Sequence, residues 1–245
     1  MKKIAKNRGL VLKTSDYKEN AVIACILTAK GKQNYIIRGA KKLTSTTHAL
    51  AGIATYLEFN ATENFAINTL TEGIVKDNFS AIKENTAKMQ VIYAMFEKIL
   101  VFSDQATDKE KFLNFVLSIL SQLKDSNYLQ EILALFELKL MYILGIAPQW
   151  NECTICKHHI IEGLFSVRAG GVMCSNCGIL EGYELDLEET KAIKYLYLIK
   201  MDKVNKLFFQ QIQPLMEHIP EVIDLYYSQY YDFQSKAKTI IKKIS

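Results

Sequence analysis

Apolar and polar residues alternate with period two from Arg8 to about Ile74, and the alternating stretch is rich in β-branched and aromatic side chains. That pattern predicts strands over residues 9–13, 20–29, 33–38, 53–59 and 64–74. Lys30-Gly31-Lys32 supplies the turn that joins the second and third as a hairpin. Five short strands, with a longer irregular connection after the third, suit a small closed barrel better than an open sheet, and an OB-fold is the architecture expected.

After Asp77 the apolar spacing becomes that of amphipathic helices, over residues 81–102, 108–124 and 128–144. Thr107-Asp-Lys-Glu110 has the capping-box pattern at the start of the second, and Gly145 followed by Pro148 stops the third. Three antiparallel helices with short connections would shield one another's apolar stripes. Residues 164–168 and 172–173, on either side of Ala169-Gly170-Gly171, read as a small hairpin. Asp186-Leu-Glu-Glu189 then opens a helix to about residue 200, and two more follow over 203–218 and 220–244, with Pro220 at a helix start. The expected organisation is α+β and multidomain: an OB-fold at 1–78, the first part of a helical bundle at 79–150, a zinc-binding ribbon at 151–182 and the C-terminal part of the bundle at 183–245.

Charge changes this picture more than composition does. At 245 residues, with 49% hydrophobic and 23% charged, the chain is ordinary for a globular protein with a real core. The longest apolar runs are broken by Glu137 and Lys139, so none spans a bilayer, and no apolar segment follows the first lysines as a secretory signal requires. A cytoplasmic protein is expected. Residues 1–42 hold eleven Lys or Arg against Asp16 and Glu19, a net +9, so residues 43–245 carry −5 within the overall +4. A positive field concentrated at one end is the usual footprint of a polyanion-binding surface, nucleic acid being the commonest partner.

Four of the five cysteines fall in two knuckles, Cys153-Thr-Ile-Cys156 and, seventeen residues later, Cys174-Ser-Asn-Cys177. That separation is the one expected of a four-cysteine zinc site, in which four thiolates complete a tetrahedral shell. A closed sulfur shell leaves no position for water or substrate, so one structural Zn2+ is expected, held by Cys153, Cys156, Cys174 and Cys177. His158 and His159 are close enough in sequence to substitute for a ligand, but an intact quartet leaves both for the surface. A ribbon this small has too little apolar area to fold alone, so the metal would supply much of its stability. Cys25 shares the parity of Ile23 and Leu27 and is expected in the core.

Phosphate contact is expected from Arg8, Lys13, Lys30, Lys32, Arg38, Lys41 and Lys42, with Lys2, Lys3 and Lys6 in the same charged segment. Gly39, inside Arg38-Gly-Ala-Lys-Lys42, lets backbone approach a ligand closely. Tyr35 and Tyr56, with Phe59 and Phe65, lie on predicted strands; barrel core is the favoured reading for each, and stacking of unpaired bases is the alternative. Tyr226, Tyr227, Tyr230 and Tyr231 form a broad aromatic helix face, for packing or for a partner. Enzyme signatures are missing: there is no phosphate-cradling loop, no dinucleotide fingerprint and no His-x-Glu ahead of the cysteines. A non-enzymatic protein is expected.

Taken in order, Gly9-Leu-Val-Leu12 with Tyr17 and Glu19, Arg38-Gly-Ala-Lys-Lys42, Phe136-Glu-Leu-Lys-Leu140 through Gly145 and Pro148, and the two knuckles with Phe165-Ser166 and Gly170-Gly171 between them resemble the RecO family of recombination mediators. The resemblance covers nearly the whole chain. It implies an N-terminal OB-fold, a helical C-terminal domain and a zinc finger. It also implies binding of single- and double-stranded DNA, annealing of complementary strands, and work with RecR and the single-stranded DNA-binding protein to load RecA during repair, in a nucleoid-associated setting. The chain departs by being nearly arginine-free; lysine acts as a point charge, so backbone binding without sequence preference is the expectation. Two rivals remain: an OB-fold RNA-binding or translation-associated module, and a zinc-dependent hydrolase acting on nucleic acid.

Overall fold

A computed structural model describes residues 4–62 and 67–238, which divide into two compact units, one of residues 1–92 and 96–124 and the other of residues 93–95 and 125–245. In the first unit β1 (Ile4–Tyr17), β2 (Ala21–Thr28), β3 (Gly31–Arg38), β4 (Tyr56–Thr62) and β5 (Asn68–Asp77) close into a barrel in the order β1-β2-β3-β5-β4, with β4 returning to β1. Every pairing is antiparallel except β3 with β5. This is the small OB-like barrel that the period-two pattern predicts.

β1 is far longer than the strand expected at 9–13 because it serves two partners. Its residues 4–10 pair with β4 and its residues 9–17 with β2. A strand that changes partner must bend, and two devices bend this one: a bulge between Val11 and Lys13, and Gly9. A Cβ at Gly9 would lie 2.4 Å from Ile26 Cγ2 and 2.9 Å from the Leu27 carbonyl oxygen, so only glycine lets β1 and β2 approach this closely. Inward-facing Val11, Ala24, Ile26, Tyr35, Ile37, Leu57, Phe59 and Leu70 fill the interior, where the Tyr35 and Phe59 rings meet edge to face at 5.0 Å.

The first unit continues with α1 (Ser80–Lys83), α2 (Thr86–Phe102) and α3 (Lys109–Asp125). The single helix expected over 81–102 is therefore two. Asn85 adopts an extended conformation and its side chain accepts the Lys88 N–H, which starts a new helix at that point. α3 is capped one residue later than the Thr107 pattern suggests: the Asp108 carboxylate accepts the Lys111 N–H at 3.0 Å and brings a negative charge that suits the helix start.

In the second unit α4 (Leu129–Leu144) ends as expected at Gly145, whose φ of 74° lets the Ile146 N–H reach back to the Met141 carbonyl. The ribbon follows, as β6 (Leu164–Ser166), β7 (Gly171–Met173) and α5 (Ser175–Glu181), then α6 (Leu187–Leu198), α7 (Lys206–Ile212) and α8 (Ile219–Tyr231). The capping box at Asp186 and Glu189 forms in both directions. The last two helices are shorter than the spacing predicts. α7 starts at the Asn205 cap and tightens into a 3-10 turn (Gln213–Leu215) that contains Pro214, which has no N–H to give the ladder. α8 stops at Asp232 in the left-handed region, a conformation aspartate tolerates; residues 239–244 of the expected helix lie outside those described.

The tyrosine face of α8 packs. Tyr227 donates to the Glu137 carbonyl at 2.8 Å and Tyr226 to that of Ile146 at 3.2 Å, while Tyr230 donates to that of Val167 at 3.0 Å, in the turn between β6 and β7. Phe165 of β6 stacks on Trp150, which also packs on Tyr197 of α6. The ribbon is thus fastened to the helices by aromatic rings. Lysines meanwhile close helix ends: Lys88 Nζ donates to the Lys124 carbonyl of α3 at 2.7 Å, Lys32 to that of Leu100 in α2 at 2.7 Å, and Lys139 to that of Tyr197 in α6.

Candidate metal centre and nucleic-acid interface

The two cysteine knuckles are positioned by different means. Cys153 begins a tight turn closed by the Lys157 N–H on its carbonyl at 2.9 Å, with Lys157 itself at φ 62°. Cys174 is instead the N-cap of α5, which puts Cys177 in the first turn of that helix; the Cys-x2-Cys spacing is silent on this difference. β7 holds the halves together, since the Thr154 N–H donates to the Val172 carbonyl at 3.0 Å and the Cys174 N–H to Cys153 Sγ at 3.3 Å.

All four sulfurs lie within 4.8 Å of one another, Cys156 and Cys174 at 3.9 Å. Four thiolates at about 2.3 Å from one Zn2+ in a tetrahedron stand about 3.8 Å apart, so the Cys156–Cys174 separation matches a tetrahedron edge and the quartet as a whole is compatible with that ion. Burial opposes the Cys153 thiolate, yet the backbone N–H groups of Cys156, Cys174 and Ile155 aim at its sulfur and bring the thiol down to about 6. Cys153 is buried and Cys156 exposed, so the cluster sits at the edge of the unit. His158 and His159 are exposed and outside the quartet. Cys25 differs from expectation: it is half-buried on the outer face of β2, paired with Lys13 and Asn34 rather than turned into the barrel, and burial pushes its thiol up.

The cations of the barrel fall into two sets. Arg8 pairs with Glu110 of α3 at 2.7 Å, Lys32 with Asp104 at 3.1 Å and Lys41 with Asp16 at 2.9 Å. Lys13, Lys30, Arg38 and Lys42 are exposed, and among the described residues none of these four is in an ion pair. Lys13 lies on the outer face just past the β1 bulge, Lys30 in the β2–β3 turn, and Arg38 and Lys42 where β3 runs out. Lys18, which no sequence spacing singles out, joins this last group because its carbonyl accepts from Lys41 Nζ at 3.3 Å. Tyr35, at 1% exposure, and Phe59 have their ring faces in the core and unavailable to a base, whereas Tyr56 is half-buried. Lys2, Lys3, Phe65 and the Lys6 side chain lie outside what is described.

An OB-like barrel in one unit, and a four-thiolate ribbon set among helices in the other, define a class of two-part protein whose specific features are a basic barrel and a metal-sized sulfur cluster. Residues 1–79 match the family model for the N terminal of recombination protein O, and residues 88–239 match that for its C terminal. The chain belongs to the RecO family. It is 27% identical to the DNA repair protein RecO of Bacillus pumilus (strain SAFR-032), over 98% of this chain and 94% of that one. The protein of the same name from Bacillus subtilis (strain 168) is 27% identical over 98% and 95% of the two chains, and that of Listeria innocua is 26% identical over 97% and 93%. Among the described residues no helix is long and apolar enough to cross a membrane.

Proposed function

We propose that this protein is a DNA-binding recombination mediator acting in DNA repair and homologous recombination. It binds single- and double-stranded DNA, anneals complementary strands and, with RecR and the single-stranded DNA-binding protein, assists RecA loading. The observation that carries the reading is the set of exposed cations, Lys13, Lys30, Arg38 and Lys42, which among the described residues are in no ion pair, on the barrel of a RecO-family chain. Cations free of internal partners can neutralise two phosphate backbones at once and so remove the repulsion that opposes annealing. Such a step needs no bond chemistry. In this reading the barrel is the DNA surface, and the quartet Cys153, Cys156, Cys174 and Cys177 holds one structural Zn2+ that fastens the ribbon.

Strand annealing and single-strand binding measured across salt test this. Four phosphate contacts give a slope of log K on log salt near about −3, and Arg38→Ala with Lys42→Ala should lower its magnitude by about 1.4 and slow annealing. An unchanged slope would move the DNA surface elsewhere. Tighter binding to RNA than to single-stranded DNA of equal length would favour the translation-associated alternative.

A further inference from the structure

Leu43 is 84% exposed, in the connection between β3 and the 3-10 turn His48–Ala51. Single exposed leucines are common, but this one is held out by a built scaffold. Gly39, at φ 74°, turns the chain, and three successive backbone bonds follow: Lys42 N–H to Gly39 carbonyl at 3.0 Å, Ser45 to Lys42 at 2.9 Å and His48 to Ser45 at 3.0 Å. Side chains brace the same turns, since Thr47 Oγ1 donates to the Arg38 carbonyl at 2.7 Å, Ser45 and Thr47 hydroxyls meet at 2.8 Å, and His48 Nδ1 lies 2.7 Å from the Ala40 carbonyl. Lys41 ties the loop to the end of β1 through Asp16 and to the β1–β2 turn through the Lys18 carbonyl. Leu50 plugs the far end into the barrel core.

The result is a preorganised loop whose one large apolar side chain stands in water next in sequence to exposed Lys42, with exposed Arg38 at the end of β3 where the loop begins. A loop already ordered loses little entropy when it meets a ligand. Cations that fix a phosphate backbone, next to a rigid apolar tip, match an unpaired nucleotide, which offers an anion and a flat apolar face together. A duplex keeps those faces stacked inside. We propose that Leu43 packs on the face of an unstacked base of single-stranded DNA whose phosphates are held by Arg38 and Lys42. This rests on the reading of the barrel as a DNA surface. Leucine has no hydrogen-bonding group, so the contact discriminates paired from unpaired bases and not one base from another.

The test compares full-length wild type and Leu43→Ala on an oligothymidylate and on an abasic oligomer with the same number of phosphates. The expected result is about fivefold weaker binding of the variant to oligothymidylate, the effect of half-burying one leucine, and equal binding of both proteins to the abasic oligomer. The salt slope should not change, and Leu43→Phe should bind at least as tightly as wild type. Equal binding of wild type and Leu43→Ala to oligothymidylate, or an equal loss on both oligomers, overturns the role of Leu43 while leaving the DNA surface standing. Failure of wild type to bind either oligomer, or a salt slope indifferent to Arg38→Ala with Lys42→Ala, overturns the DNA surface itself.

Discussion

The Lys32 ammonium stands 3.1 Å from the Asp104 carboxylate, with the Leu100 carbonyl 2.7 Å away, so this cation joins β3 to the end of α2. Its charge is already matched within the unit. Lys32→Ala should therefore cost about 1 kcal/mol in urea unfolding, the usual worth of a half-exposed charged hydrogen bond, and leave the salt slope of DNA binding unchanged. Arg38→Ala and Lys42→Ala should do the reverse, with stability within about 0.5 kcal/mol of wild type.

Glycines at two bends should respond differently to a methyl group. Gly9→Ala places a Cβ against Ile26 and the Leu27 carbonyl, and overpacking of this kind costs about 2–3 kcal/mol. Gly145→Ala meets nothing within 4 Å and carries only the left-handed strain, about 1 kcal/mol. Denaturant midpoints of the two variants should keep this order.

Trp150 is the single tryptophan, and it stacks on Phe165 within the ribbon packing, three residues before Cys153. Its fluorescence should report whether the cluster is intact. Cys153→Ser, or treatment with a strong chelator, should shift the emission to the red and lower the melting temperature, and purified untagged wild type should contain about one equivalent of zinc per chain. Zinc content well below that figure would exclude the metal assignment.

Burial holds the Lys139 ammonium down to about 8, from 10.5. Between those values the unfolded chain keeps a proton that the folded chain has released, so folding stability should rise with pH across that window; below about 8 the full cost of burying the charge applies. Lys139→Met should flatten this segment of the profile. At pH 7 it should gain about 1 kcal/mol, a figure reduced for the half-exposed position and for the lost bond to the Tyr197 carbonyl. Urea midpoints at pH 7, 9 and 10.5 compared between the two proteins check the sign.

Much of the barrel and the clustering of the four cysteines were legible in the sequence, because both are written in short-range spacing. Period two placed the strands, and two Cys-x2-Cys knuckles placed the cysteines that come together. Alternation could not say which parity faced inward, which is why Tyr35, read first as core, stayed a candidate for base stacking as well. The helix breaks at Asn85, Pro214 and Asp232 depend on single polar or imino residues within otherwise periodic stretches. Charge arithmetic counted Arg8, Lys32 and Lys41 as available; two of their partners, Asp104 and Glu110, are about 70 and 100 residues away in sequence, and only tertiary structure brings them together. The same distance hid the clamp of α8 on the ribbon.

The lysines that donate to helix-end carbonyls give the chain two chemically distinct kinds of amine. Lys32, Lys88 and Lys139 have their Nζ engaged by backbone oxygen, whereas Lys13, Lys30 and Lys42 face solvent. An acylating reagent applied to the folded protein would react with the second group first, and adding DNA would slow only that group. Reaction kinetics resolved lysine by lysine would then separate the amines that build the protein from those it offers to a partner.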